Sequence, residues 1–386
     1  MAKSVTTPTV RDLMAEFAAR TGLDPPHDRP RRYLWTDAYA VCNYLELSRR
    51  TGDTAYRDLA LRLVDLVHHT LGRHREDDPR TGWISGLPEA EGEAHPTRGG
   101  LRIGKPLPER RPDEPFDEQL EWDRDGQYYH YLTKWMHALN RVSRTTGSPV
   151  YTRWAAELAQ AAHAAFTDTL PSGGRRMYWK MSVDLARPLV PAMGQHDPLD
   201  GFVTYRELQA AGEGIDLAPE IADMTRICRG GHLVTDDPLG IGGLLFDAGR
   251  IAQDPEGSGR MAQLLSQGGF ACEDLLASVL DAALAGLAAF AGGGTLRYPA
   301  EFRLAFREFG LSIGLSGAGA LAERVRGNPD LSRRAEALMR YTPLAGAIER
   351  FWMDGNNRKA DTWTGNPEIN MVMLATSLAP GEFLAV

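Results

Sequence analysis

A helix–turn–helix junction occurs twice in this chain, and no other feature constrains the fold as much. Leu-Ser-Arg-Arg-Thr-Gly-Asp-Thr-Ala-Tyr at 47–56 is echoed by Val-Ser-Arg-Thr-Thr-Gly-Ser-Pro-Val-Tyr at 142–151. In each, a helical apolar pattern stops at a glycine and a new one starts within a few residues, with a tyrosine in its first turn. Such a junction makes an αα-hairpin, and its return marks a repeated unit.

The same punctuation continues along the chain. Helical periodicity is expected at 9–21, 36–50, around Tyr56–Val67, 126–145 and from Ser148-Pro149 onward. It resumes at 198–211, 216–229, 238–252, 259–290 with a break at Gly268-Gly269, 299–316, 331–341, 343–353 and 367–378. RRMYWKMSV at 175–183 is the one segment that reads as a strand. Paired helices in this number predict an all-α closed double ring, an (α/α)6 toroid, rather than a four-helix bundle. The exception is 75–122, rich in Gly, Pro and charge. So long an irregular loop is uncommon in a compact domain and reads either as a lid or as a mobile decoration.

Residues 1–386 are expected to form one domain with a large core, apolar residues being 43% of the chain. The net charge of −8 leaves no basic stripe for nucleic acid. Leu275–Phe290 is apolar, but Asp281 interrupts it and it falls short of the roughly 20 residues of a membrane span. With no apolar leader and three scattered cysteines, Cys42, Cys228 and Cys272, the expected location is the cytoplasm. His68, His69 and His74 match no common metal spacing, and Gly240–Gly243 lacks the strand and the Lys-Ser/Thr ending of a phosphate loop. Neither a metal nor a cofactor is expected.

Several helices begin alike. Asp197-Pro198, Asp237-Pro238 and Asn366-Pro367 each put a capping side chain before a proline in the first turn. In a helical toroid the alternate, inner helices run the same way, so their starts surround one central pocket. The inner set would begin near Trp35-Thr36-Asp37, Asp123-Arg124-Asp125, Asp197–Asp200, Asp237-Pro238, Glu301–Arg303 and Trp363–Glu368. Carboxylates for proton transfer and aromatic walls for the C–H faces of a sugar are concentrated there.

The Arg-Thr-Gly-Asp-Thr-Ala-Tyr junction at 50–56, its looser copy at 144–151 and the Trp-x-Asp near a helix start resemble the six-hairpin glycosidase-like superfamily. That resemblance implies an (α/α)6 toroid over most of 9–378. It also implies a carbohydrate-active enzyme, since its members include glycoside hydrolases, unsaturated glucuronyl hydrolases and sugar epimerases. A hydrolase or lyase acting on a glycoside or uronic-acid sugar needs an acid and a partner carboxylate. Asp125 is the first choice for the acid, with Asp200 or Asp197 as partner; helix capping is the ordinary role of each. In an epimerase His130 and His196 would exchange the proton beside a carbonyl. Such enzymes are expected to carry a histidine in the C-terminal inner helix, and Glu368–Ser377 has none. Trp35, Trp122, Trp179 and Trp363 are candidate sugar platforms; Asp37, Arg303 and Glu368 are candidate binding groups. A terpene-like apolar ligand, or a binding scaffold, is the reading outside sugar chemistry.

Overall fold

The repeated junction folds as one turn made twice. Gly52 and Gly147 have φ of 74° and 72°, and each donates its N–H to the serine carbonyl four residues back, Ser48 and Ser143, at 2.8 Å. The same two serines donate their hydroxyls across the turn to the carbonyls of Asp53 and Ser148, at 3.0 and 2.7 Å. A left-handed glycine closing a helix is the usual stop signal, because no Cβ opposes that backbone conformation.

The protein is described by a computed structural model over residues 3–190, 192–212, 214–228, 231–253 and 272–385. Two compact units are present, Ala18–Ser48 with Gly52–Gly230, and Met1–Phe17 with Arg49–Thr51 and Gly231–Val386. After α1 (Lys3–Thr21) come α2 (Leu34–Thr51), α3 (Thr54–Leu71), the short α4 (Glu89–Ala94) and α5 (Glu118–Asp123), α6 (Tyr129–Thr146), α7 (Val150–Phe166), α8 (Asp197–Ala211) and α9 (Ala218–Cys228). The rest of the chain adds α10 (Pro238–Gln253), α11 (Cys272–Gly293), α12 (Ala305–Ser316), α13 (Ala318–Arg324), α14 (Pro329–Met339), α15 (Pro343–Met353), α16 (Asp361–Thr364), α17 (Pro367–Leu378) and α18 (Gly381–Leu384). The first part of the helix expected at 259–290, with its glycine break, lies outside the described residues.

Two kinds of helix alternate. α2 buries every residue from Leu34 to Leu47, α8 every residue from Asp197 to Leu208, and α17 every residue from Asn370 to Ser377. α6 and α12 are enclosed in the same way from Leu132 to Val142 and from Glu308 to Leu315. α3 and α7 bury only one stripe, as in Ala60, Leu63, Val64, Val67 and Leu71 of α3. A stripe marks a helix with one face to water, and all-round burial marks a helix enclosed by others. The enclosed helices begin where the inner set was expected. α11 buries Leu276, Val279, Leu280, Ala283 and Leu287 and packs on α10 and α14. Among the described residues its span, Cys272–Arg297, is the one long and apolar enough to cross a membrane; half of its 18-residue apolar stretch is buried. The glycine run at 240–243 has a packing role, since a Cβ on Gly242 would lie 2.0 Å from the carbonyl oxygen of Gly310 in α12.

Capping differs by one residue from expectation at two starts. His196, not Asp197, is the N-cap of α8, and Pro149, not Ser148, that of α7. Asp237 does cap α10, accepting from the N–H of Gly240 at 3.0 Å. The expected strand at 175–183 resolves into β3 (Arg175–Met177), paired antiparallel with β2 (Thr167–Thr169), and β4 (Lys180–Met181). β4 lies between β1 (Gln127–Tyr128) and β5 (Pro188–Val190).

The 75–122 segment is irregular apart from α4 and α5, but it is firmly tied down. Asp125, fully buried, anchors it. Its oxygens accept from Arg102 Nη1 at 2.6 Å and from the N–H groups of Gly104 and Gly126 at 3.0 and 3.1 Å. Arg102 reaches on to the carbonyls of Thr70 and Arg73 at 2.6 and 2.7 Å, tying the arm to the end of α3. Gln127 adds bonds to Leu101 N–H at 2.8 Å and to the carbonyl of Gly99 at 2.9 Å.

Two predictions follow from this framework. Nothing lies within 4 Å of a Cβ built on Gly147. Gly147→Ala should therefore cost only backbone strain, about 1 kcal/mol, read as a lower midpoint in urea, with Gly147→Asn milder. Asp125→Ala strands a buried guanidinium and should cost about 3–5 kcal/mol. Limited proteolysis should then cut within 75–122 before the rest of the chain, and an unchanged digest would refute the anchoring role.

Candidate active site

α6 starts directly from β1, so Tyr128, His130, Tyr131, Thr133 and Lys134 crowd around its first turns. Asp200, in the first turn of α8, meets them. Its Oδ2 accepts from Thr133 Oγ1 at 2.5 Å and from Lys134 Nζ at 2.7 Å, all three side chains being buried. Lys134 thus gives Asp200 a charge-assisted hydrogen bond inside the fold.

Asp197 stands one turn earlier on the same face of α8. Burial, then the charge of Asp200, push its carboxyl up to about 7, against the pull of Lys134. Its Oδ1 lies 4.0 Å from His130 Nδ1, and its Oδ2 is buried without a hydrogen-bond partner. Gly194 makes the space, because a Cβ there would sit 2.1 Å from that oxygen. His130 keeps about a third of its side chain (32%) exposed. Its ring packs edge-on against Trp35 at 5.7 Å and Tyr131 at 4.7 Å, and stacks on Tyr128 at 5.6 Å. Burial, then Lys134, push the imidazole down to about 4, so it is neutral at pH 7.

The start of α2 supplies the next wall. Trp35 contacts His130, Tyr39 and Tyr131, and its indole N–H is buried without a partner. Asp37 accepts from Tyr33 N–H at 3.1 Å and from Arg32 at 3.3 Å; burial raises it to about 6 in spite of Arg32. The Tyr33 and Tyr131 hydroxyls are 2.6 Å apart. Asp37 thus secures the start of α2, while Trp35 reaches His130.

Trp35, His130, Asp197 and Asp200 are therefore brought together, with Asp37 behind them. Asp125 is not among them: it is spent on the arm, and both oxygens are occupied. His196 is half-buried at the N-cap of α8. Trp122 is half-exposed on α5, edge-on to Trp179 at 5.4 Å. The other three expected residues belong to the second unit. Arg303 forms a buried two-pronged pair with Glu308 at 2.8 and 2.7 Å, which Trp352 Nε1 also reaches at 2.8 Å. Trp363 is buried and stacks on Trp352 at 5.8 Å. Glu368 is half-buried in the first turn of α17.

Thr133, Lys134, Tyr128 and Tyr131 escape a sequence reading. Lys134 follows Thr133 in a stretch whose apolar stripe draws attention elsewhere, and only a lysine inside an enclosed helix would have signalled a buried counter-charge. The histidines at 68, 69 and 74 have separate roles. His68 accepts from Trp135 Nε1 at 3.2 Å, His69 bonds Glu93 at 2.9 Å, and His74 lies 3.7 Å from Asp78. Among the described residues no His/Cys/Asp/Glu group could hold a metal ion.

No family profile and no curated protein matches the sequence. Among solved structures, the chain is similar to a GH76 alpha-mannanase of Bacteroides thetaiotaomicron, with a TM-score of 0.53 and 10% identity, covering 99% of this chain and 98% of that one. The cellobiose 2-epimerase of Spirochaeta thermophila gives a TM-score of 0.46 at 14% identity, covering 88% of this chain and 86% of that one. The enzyme of the same name from Bacillus thermoamylovorans gives 0.43 at 8%, covering 81% and 76%. At such identities the likeness is one of fold. It runs nearly end to end with the mannanase, and the fold of this chain is the (α/α)6 toroid.

Proposed function

We propose that this chain is a carbohydrate-active enzyme working by acid–base chemistry at Asp197, Asp200 and His130. One observation carries the reading: two carboxyls a turn apart on α8 stand in unlike surroundings, one hydrogen-bonded to a buried lysine and the other with an oxygen that lacks a donor among the described residues. Asp200 accepts from Lys134 and Thr133, while burial and the neighbouring Asp200 push Asp197 up to about 7. Pairs whose environments push their titrations apart are how an enzyme runs acid and base steps at one pH. Trp35, Tyr128 and Tyr131 give His130 the aromatic surroundings common in sugar sites. The shared fold with an alpha-mannanase adds support of a general kind.

The hydrolytic reading fits these residues best. Asp197 donates its proton to the glycosidic oxygen, so the leaving sugar departs as an alcohol. Asp200 is the second carboxylate, acting as nucleophile or as base on water, and its charge opposes the positive charge growing on the ring. A sugar epimerase is the second reading, favoured by the neutral imidazole of His130, which is free to take a proton from carbon beside a carbonyl.

The test is product analysis on α-mannan, on other glycans and on free disaccharides. New reducing ends indicate hydrolysis. Solvent deuterium entering the sugar without new reducing ends indicates epimerisation. Asp197→Asn should lower either rate about 100-fold or more, and unchanged turnover would remove Asp197 from the mechanism. The rate should fall above about 7 as Asp197 loses its proton, and in an epimerase it should fall also below about 4 as His130 protonates.

Stability should carry the same signature. A carboxyl raised from 3.8 to about 7 binds its proton more tightly folded than unfolded. Its contribution is therefore present at low pH and is lost as pH rises from about 4 to 7. Asp197→Asn removes that loss, so the variant should melt a few degrees higher than the parent at pH 8 and show no such advantage at pH 4.

A further inference from the structure

The arm ends in a second feature that the acid–base site does not use. α5 is held rigidly from below. Lys180, buried, donates to the carbonyls of Glu121 and Arg124 at 2.7 and 2.9 Å and pairs with the Glu121 carboxylate at 2.8 Å. A cation on the last carbonyls of a helix is its favoured cap. Arg110 takes the other Glu121 oxygen at 3.1 Å and the carbonyl of Leu189 at 2.9 Å. On this fixed base, Trp122 and Phe116 each leave 51% of their surface in water.

They do not stand alone. The β1–β4 pairing sets Tyr128 opposite Lys180, which puts the Trp179 ring parallel to Tyr128 at 5.0 Å, with Trp122 edge-on to Trp179. These rings, with Glu118, Glu121, Val190 and Ala192, line a cleft of about 290 Å³. The indole N–H of Trp179 is buried without a partner. Large aromatic surface left in water on an immobile backbone is the mark of a binding site, and a few polar groups among flat rings suit a sugar. Glu121 is neutralised by Lys180 and Arg110, whereas Glu118 is exposed at the cleft with no cation paired to it in the described contacts. These four charges sum to zero, and the one a ligand in the cleft meets unpaired is the Glu118 carboxylate. It accepts hydroxyl hydrogen bonds and repels a carboxylate or sulfate. Tyr128 lines the cleft and also stacks on His130, so the cleft adjoins the acid–base site.

We infer that the Phe116–Trp122–Trp179 cleft is a subsite for a neutral pyranose unit of an oligosaccharide whose neighbouring unit lies at His130 and Asp197. This rests on the sugar reading above and narrows it: the substrate is longer than one sugar, and its units are uncharged rather than uronic.

The experiment is calorimetric titration of the full chain with three trisaccharides, one from α-mannan, cellotriose and trigalacturonate. At least one neutral trisaccharide should bind, and trigalacturonate about tenfold more weakly or not at all. Trp122→Ala should weaken the neutral ligand about tenfold, the scale of one lost ring contact. Phe116→Ala, at another exposed ring, is the second variant. Glu118→Gln should narrow the gap between neutral and acidic ligands. Unaltered binding in both ring variants overturns the subsite, as does preferential binding of trigalacturonate or failure of both neutral ligands. Asp197→Asn separates the two ideas. Binding kept with turnover lost supports both, while turnover kept sinks the acid role and leaves the subsite standing.

Discussion

The site depends on a single buried ion pair. Lys134 on α6 and Asp200 on α8 each keep less than a tenth of the side chain exposed, and charges so placed persist only when paired and hydrogen-bonded. Thr133 supplies the additional bond, and the start of α8 adds the favourable end of a helix dipole for the anion. The pair also reaches its neighbours with opposite signs. The Asp200 carboxylate is the second cause that keeps a proton on Asp197, and the Lys134 ammonium is the second cause that keeps one off His130. In both cases desolvation leads, one member of the pair reinforces it and the other opposes it less strongly.

Buried ion pairs at or near helix starts recur among the described residues, and those of Asp125 and Glu308 have no capacity left over. Asp125 has both oxygens engaged, by Arg102 and by backbone N–H groups. Glu308 has both oxygens on Arg303, with Trp352 as a third donor. These are saturated, so they hold backbone in place and have nothing to offer a substrate. Asp197 has one oxygen 4.0 Å from His130 and another with no donor at all. An unmet polar atom in a buried place costs stability, and a site for chemistry is where that cost is tolerated.

That distinction explains what the sequence revealed and what it hid. The hairpins were legible because Ser48 with Gly52, and Ser143 with Gly147, make their turns from residues within a few positions of one another. Asp197, Asp200, His130 and Trp35 were legible for a similar reason, since helix starts have local signals. Asp125 sits beside the same kind of signal, yet its partner Arg102 is 23 positions back in an arm with no periodicity to locate it. Lys134 and Asp200 are 66 apart, and Trp122 meets Trp179 only because β4 pairs with β1. Local chemistry showed where carboxylates would cluster; long-range pairing decided which of them was free.

The aromatic rings extend the argument from protons to substrate. Trp35 touches His130, His130 stacks on Tyr128, Tyr128 on Trp179, and Trp179 meets Trp122. Each ring is fixed by the next, and the two ends are set by α2 and by the capped α5. A surface held in this way loses little conformational freedom when a ligand arrives, so more of the contact energy is left for binding. The Asp125 anchor, through Arg102, ties the segment that carries Trp122 to the end of α3, on the same unit as the enclosed helices that carry Asp197 and His130.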